Sequence, residues 1–241
     1  MAVSRVVSLV PSLTEAVAAT DPSLLVGVTD WCTHPAGLTV ARVGGTKNPD
    51  VARIVALAPD LVLVNVEENR LPDAEALRAA GLAVHVTDVR TLEGEFGAFE
   101  QLGTMLVACG LPRPRWLEEA QAAWRAVRPI EPRRLAVVPI WRRPWMAVGS
   151  DTFTGAVLAR LGVDNALDGA PERYPRITLA DLPAHDLVVL PDEPYAFAAD
   201  DGPEAFAGTP CALVSGRHLT WYGPSLIEAP VLLRDQLSAA G

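Results

Sequence analysis

Short apolar, β-rich runs alternate with helical stretches along this chain, and that alternation limits its fold more than any other feature. Residues 5–10 (RVVSLV) and 61–64 (LVLV) predict buried strands, and residues 72–80 predict a helix. Ser12, with Glu15 three residues later, predicts a capping box at the start of the first helix. Strands that alternate with helices indicate parallel βαβ units, so we expect an α/β fold.

The same pattern restarts in the second half of the chain. Residues 114–127 (PRWLEEAQAAWRAV) predict one helix between the halves, and residues 135–140 (LAVVPI) predict the next strand. The segments IVALAPDLVLV at 54–64 and LADLPAHDLVVL at 179–190 both predict a short helix, a turn that ends in Asp and a buried strand. Any α/β protein can show such an echo, and that alternative stays open. We expect two Rossmann-like βα lobes with parallel sheets, bridged by a single long α-helix, with boundaries at 1–111, 112–130 and 131–241.

The charge balance excludes two classes of partner. The chain has 20 Lys and Arg against 29 Asp and Glu, which gives a net charge of −9, and Lys47 is its one lysine. A nucleic-acid-binding protein needs a basic face, and so does a protein that lies on an anionic membrane surface. No stretch approaches the roughly 18 consecutive apolar residues that a membrane helix requires. We therefore expect no nucleic acid and no membrane insertion.

The N-terminal residues and the cysteines indicate a location. The first residues, MAVSRVVSLVPSLTE, carry an apolar run too short for a secretory signal, and Arg5 adjoins that run. The three cysteines (Cys32, Cys109 and Cys211) are too few and odd in number for a disulfide framework. As written, the sequence predicts a cytoplasmic protein. An extracytoplasmic location is the alternative if an export segment was removed.

Catalytic signatures are absent from the sequence. The segment GGTK at 44–47 lacks the spacing of a phosphate-binding P-loop, and no GxGxxG, GxSxG or HExxH motif occurs. Cys32 and His34 lie two residues apart and could contact a transition metal, but a packed thiol and a solvated imidazole are the preferred interpretation. We therefore predict no catalytic residue, no metal site of the protein's own and no required cofactor.

Aromatic residues gather in the predicted loops, and several of them adjoin proline. Many of these loops follow the C-terminal ends of predicted strands, where open parallel sheets bind their ligands. Two facing lobes would line a cleft with flat rings, which suits a large, partly apolar small molecule. The alternative is that the rings pack within each lobe. The loop aromatics are Trp31, Trp141, Trp145, Trp221, Tyr174, Tyr195 and Tyr222.

Motifs in these loops resemble those of a known family. The chain is similar to the helical-backbone metal receptor superfamily, the class III periplasmic substrate-binding proteins, and most of all to its cobalamin-binding branch. The matching stretches are RVVSLVPSLTE at 5, GVTDWCTHP at 27, VGGTKNPD at 43, ARIVALAPDLVLVNVEENR at 52, IWRRPWMAVGSDTF at 140, ERYPRITLADL at 172, LPDEPYAF at 190 and TWYGPS at 220.

The resemblance implies a non-enzymatic protein that holds a cobalamin, corrinoid, siderophore or haem ligand between its lobes. The alternatives are an exported ABC-transporter receptor, or a cytoplasmic enzyme that uses Glu67, Glu68 or Glu193 for proton transfer. In transport members, surface glutamates dock on a permease. The corresponding positions here are Ala52 and Ala180, with Asp50 and Asp181 nearby. The ligand-binding residues implied by the motifs are Trp31, Lys47, Glu67, Glu68, Trp141, Arg143, Trp145, Tyr174, Tyr195 and Trp221.

Overall fold

The computed structural model describes residues 2–240 and divides the chain into two compact units. Unit 1 comprises the chain up to Val89, together with Glu93–Glu119 and Tyr222–Pro224. Unit 2 comprises Arg90–Leu92, Ala120–Trp221 and the chain from Ser225 onward. The helix predicted at 114–127 is present as α5, and the division between the units falls inside it. The lobe boundaries at 1–111, 112–130 and 131–241 remain a prediction.

Unit 1 is built on a five-stranded sheet in the order β3-β2-β1-β4-β5, and every pairing in it is parallel. Both faces of a parallel sheet are covered by helices, which is why the strand LVLVN is buried along its whole length. The elements are β1 Val6–Ser8, α1 Pro11–Ala18, β2 Leu25–Val28, β3 Ala41–Arg42, α2 Val51–Ala56, β4 Leu61–Asn65, α3 Leu71–Ala79, β5 Val84–Thr87, α4 Ala98–Ala108 and α5 Arg115–Ala126, the last of which continues into unit 2.

Unit 2 has a four-stranded parallel sheet in the order β11-β10-β6-β9 and a separate antiparallel hairpin, β7–β8. Short 3₁₀ turns lie at Leu179–Asp181 and Pro203–Phe206. The regular elements are β6 Arg134–Val137, β7 Pro139–Trp141, β8 Met146–Ala147, α6 Phe153–Leu161, β9 Val163–Asn165, β10 Leu187–Pro191, β11 Cys211–Val214, α7 Gly216–Thr220 and α8 Ala229–Ser238.

The internal echo in the sequence corresponds to a repeated structural device. Asp60, which precedes β4, accepts hydrogen bonds from the backbone N–H groups of Ser4 at 2.8 Å and Arg5 at 3.0 Å. Asp186, which precedes β10, accepts from the backbone N–H of Leu135 at 3.3 Å. Each aspartate thus holds the start of the first strand of its own sheet. The order β2-β1-β4-β5 in unit 1 matches β9-β6-β10-β11 in unit 2, so two lobes with parallel sheets are confirmed.

The first helix begins earlier than the sequence predicts. Its N-cap is Val10, no side chain caps it, and Pro11 occupies the first turn. Proline favours the first helical position because its φ angle is already helical and it has no N–H to leave unpaired. Ser12 and Glu15 are therefore buried inside the helix, and the predicted capping box is wrong. Within residues 2–240, no helix is long and apolar enough to cross a membrane.

Candidate functional site

A buried thiol anchors the loop that presents Trp31. The Sγ atom of Cys32 lies 3.1 Å from the hydroxyls of both Thr14 and Thr29, and Arg42 donates to the carbonyls of Thr29 and Cys32 at 2.9 Å. Burial raises the pKa of the Cys32 thiol, so the thiol stays protonated at neutral pH. With its backbone fixed on either side, Trp31 points outward and is 65% exposed.

Two buried asparagines organise the loop after β4. The Asn65 side-chain oxygen accepts from the backbone N–H groups of Glu67 at 2.9 Å and Glu68 at 3.3 Å. Asn69 accepts from the backbone N–H of Asn65 at 2.9 Å and donates to the carbonyl of Thr46 at 2.9 Å. Both asparagines are buried. They fix the backbone that carries the two predicted glutamates.

Lys47 joins this loop from the neighbouring turn. Its ammonium donates to the carbonyl oxygen of Glu67, and the turn is tied to the Trp31 loop because Asp30 donates from its backbone N–H to Gly44 at 2.9 Å. Glu68 keeps solvent access, yet desolvation by the surrounding protein raises the pKa of its carboxyl, against the lowering effect of Lys47. The four predicted residues of unit 1 thus lie on three loops, and the turn that carries Lys47 is hydrogen-bonded to the other two.

The β7–β8 hairpin in unit 2 carries two tryptophans in different environments. Trp141 is 43% exposed and meets Tyr195 edge-on, with ring centroids 5.8 Å apart. Trp145 is only partly buried but packs against the hydrophobic core. Its ring lies parallel to that of Phe197 at 6.0 Å and meets Phe206 edge-on at 5.4 Å. Both tryptophans lie close to the same prolines and arginines in the sequence, so only the structure shows that one ring is exposed and the other packs on the core.

An ion-pair network holds the tip of this hairpin. The Arg142 guanidinium carbon lies 5.3 Å from the centre of the Trp145 ring. The same guanidinium pairs with Asp201, and also with Glu204 at 2.6 Å. Tyr195 donates its hydroxyl to Asp201 at 2.6 Å, and that bond raises the pKa of the phenol. Tyr195 therefore remains protonated.

The remaining predicted residues of unit 2 are Arg143, Tyr174 and Trp221. Arg143 is exposed at the hairpin tip and has a left-handed backbone with a φ of 69°. Tyr174 is half-buried in a segment that pairs with the hairpin, since Ala147 donates its backbone N–H to the Pro175 carbonyl at 3.1 Å. Trp221 is half-buried at the end of α7, where its side chain bonds Glu193.

The curated proteins that match the chain are named vitamin B12-binding proteins. No family model matches the chain. The vitamin B12-binding protein of Vibrio vulnificus strain YJ016 is 26% identical over 181 residues, which cover 73% of this chain and 66% of that protein, just under two thirds of its length. The vitamin B12-binding protein of Pectobacterium carotovorum subsp. carotovorum strain PC1 is 24% identical over 98% of this chain and 88% of that protein.

Solved structures agree with these relatives over nearly the whole chain. The periplasmic vitamin B12-binding protein BtuF of Vibrio cholerae has a TM-score of 0.73 at 18% identity and covers 99% of this chain and 98% of its own. The periplasmic haem-binding protein BhuT, solved with two haems, has a TM-score of 0.76 at 25% identity, with 98% of each chain covered. These comparisons support the class III periplasmic binding protein family. This is the helical-backbone metal receptor family that the motifs indicate.

Polar residues that the sequence analysis does not identify support the predicted ones. Asn65 and Asn69 hold the glutamate loop, and Asp201 links Arg142 to Tyr195. A polar residue at the end of an otherwise apolar strand, as in LVLVN, is the one signal that could have indicated Asn65. Residues 2–240 contain no group of three or more His, Cys, Asp or Glu side chains that could hold a metal ion.

Proposed function

We propose that this protein is a class III periplasmic binding protein that binds a flat metal chelate of the cobalamin class and releases it unchanged. The observation that carries the proposal is the exposure of two indole rings, Trp31 and Trp141, on loops that the motifs assign to ligand binding. The relatives named above are binding proteins, and none is named as an enzyme. An enzymatic role for Glu67, Glu68 or Glu193 has no support from them.

Burial of these two rings against a ligand would contribute measurably to the free energy of binding. An aromatic side chain offers roughly 150–250 Å², so the 65% exposure of Trp31 leaves roughly 100–160 Å² in contact with water. At about 25 cal/mol per Å², full coverage contributes roughly 2.5–4 kcal/mol. A flat ligand covers one face of the ring, which corresponds to roughly 1–2 kcal/mol for each indole.

Charge favours a ligand with amide edges over one with carboxylate edges. Glu67 and Glu68 adjoin the ring-bearing loops of unit 1, and the one lysine there is bonded to a backbone carbonyl. The whole chain has a net charge of −9. Like charges repel, so the carboxylates of haem are less well suited than the neutral amides of a corrinoid. In unit 2, the exposed Arg143 supplies a donor for a ligand oxygen.

We infer an extracytoplasmic location and an ABC permease as partner from similar proteins of known structure, BtuF and BhuT, which are periplasmic. Ala52 on α2 and Ala180 in a 3₁₀ turn are both exposed, and neither supplies the docking charge that the resemblance implies. Asp50 caps α2 by accepting from the backbone N–H of Arg53 at 2.9 Å. A permease contact would therefore need other residues, and co-purification of the chain with an ABC permease of the same organism tests this partner.

Calorimetric titration with cyanocobalamin tests the proposed ligand. We expect binding, with Trp31→Ala and Trp141→Ala each weakening the affinity by about 5- to 30-fold, the equivalent of roughly 1–2 kcal/mol. Val107→Ala is the control, because Val107 is an exposed apolar residue, 68% exposed, on α4 and outside these loops. Absence of heat with cyanocobalamin, cobinamide and haemin refutes the proposal, as does unchanged affinity in both tryptophan variants.

A further inference from the structure

Two charged side chains of unit 2 bracket the indole of Trp221. We propose that Glu193 and Arg217 are positioning residues that fix this ring for ligand binding, an inference that rests on the proposed function. Neither residue belongs to the set that the family motifs assign to the ligand. Both act through Trp221, so neither is required to touch the ligand.

The sheet brings the two segments together. Strands β10 and β11 are parallel neighbours, with Pro191 paired to Val214 at their C-terminal ends. Asp192 donates its backbone N–H to Val214 at 3.1 Å and accepts from the backbone N–H of Gly216 at 2.6 Å. Glu193 and Gly216, the first residue of α7, therefore lie next to each other at the C-terminal ends of the two strands.

Glu193 lies directly against the start of α7. A Cβ atom on Gly216 would lie 2.4 Å from Cγ of Glu193 and 2.7 Å from its backbone nitrogen. Real side chains do not approach so closely, so only glycine leaves room for the glutamate at this position. The Glu193 carboxylate in turn accepts a hydrogen bond from the Trp221 side chain, whose single polar atom is the indole N–H.

Arg217 occupies a face of the same indole. Arg217 and Trp221 are four residues apart across the short helix α7, a spacing that places side chains on one face. The backbone N–H of Trp221 donates to the Arg217 carbonyl at 3.1 Å, which fixes the turn. The guanidinium carbon lies 5.8 Å from the ring centre, within the range of a cation–π contact. One edge and one face of the ring are thus held, which leaves at most one face for a flat ligand.

A ring held in this way loses less freedom when a ligand binds. Immobilising a mobile side chain costs part of the binding free energy, and a ring that is already fixed avoids that cost. Release of Trp221 from Glu193 should therefore weaken ligand binding by about three- to tenfold without removing any direct contact. Glu193→Gln keeps an acceptor of the same length and should retain most of the affinity.

The test combines ¹⁹F NMR of 5-fluorotryptophan-labelled protein with calorimetric titration of cyanocobalamin. Trp221→Phe assigns the Trp221 signal. We expect Glu193→Ala and Arg217→Ala to shift or broaden that signal and to weaken cyanocobalamin binding about three- to tenfold. Glu193→Gln should stay close to the wild type. Glu131→Ala, an exposed glutamate of unit 2, is the matched control and should change neither signal nor affinity.

Three outcomes overturn the proposal. The first is a Trp221 signal that is unchanged in both Glu193→Ala and Arg217→Ala. The second is a signal that shifts in these variants while their affinity for cyanocobalamin stays the same. The third is a loss of affinity in Glu193→Gln as large as that in Glu193→Ala. If one alanine variant does not fold, as judged by far-UV circular dichroism, the other carries the comparison. A wild-type protein that binds neither cyanocobalamin nor haemin refutes the proposed function, and the NMR comparison alone then decides whether these side chains hold Trp221.

Discussion

Trp145→Ala should destabilise unit 2, because this ring packs on the core. Trp145 is stacked on Phe197 and meets Phe206 edge-on, within a cluster that contains the fully buried Val188 and Leu190. Removing a fully buried aromatic side chain costs about 3–5 kcal/mol of unfolding free energy. Trp145 is only partly buried, so we expect a loss of about 2–4 kcal/mol.

Urea unfolding followed by far-UV circular dichroism measures this loss. With a slope of about 1–3 kcal/mol per molar urea, the transition of unit 2 should move down by roughly 1–3 M. Trp31→Ala is the matched control, because an exposed ring contributes less than about 0.5 kcal/mol. If Trp145→Ala unfolds at the same urea concentration as Trp31→Ala, the packing assigned to Trp145 is wrong and its role lies with the ligand alone.

Three further predictions follow from single side chains. In native protein at pH 8, a thiol reagent should react at Cys211, which is half-buried, and not at the buried Cys32 and Cys109. Burial raises the pKa of all three thiols, to about 11 for Cys109, so access of the reagent decides the difference. Cys211→Ser should abolish the native reaction, and a persisting reaction would contradict this. Hydrogen bonds lower the pKa of Asp60 below its usual 3.8. Its contribution to stability is therefore complete above about pH 4 and is lost as the pH falls through the lowered pKa. The urea midpoint of Asp60→Asn should depend less on pH in that window than the wild-type midpoint, and equal dependence would refute the assignment. Gly216→Ala should lower the unfolding free energy by about 1–3 kcal/mol, because the Cβ atom of the new alanine would overlap Glu193. An unchanged urea midpoint would show that Glu193 does not lie against position 216.

The order of strands and helices was predictable because each follows from local pattern. Apolar runs between turn residues gave β1, β4 and β10, and the amphipathic stretch before Val127 gave α5. The start of α1 was missed because two local signals compete there. A proline at the first helical position prevailed over a serine that could cap, and spacing alone does not rank the two.

The site was less predictable, since exposure depends on contacts that are distant in sequence. Trp141 and Trp145 lie in one short hairpin, yet only Trp145 packs against Phe197 and Phe206 on the core. Tyr222 is one of the aromatic residues that the sequence places in a loop, and its side chain is buried. Sequence motifs therefore named the loops, while the choice of the ring that remains exposed required the tertiary structure.

Equilibrium dialysis against cyanocobalamin, with mass spectrometry of the ligand afterwards, tests binding without chemical change most directly. The account predicts enrichment of cyanocobalamin on the protein side to one molecule per chain, and recovery of the same molecule after denaturation of the protein. Equal concentrations on both sides of the membrane, or recovery of an altered corrinoid, would contradict it.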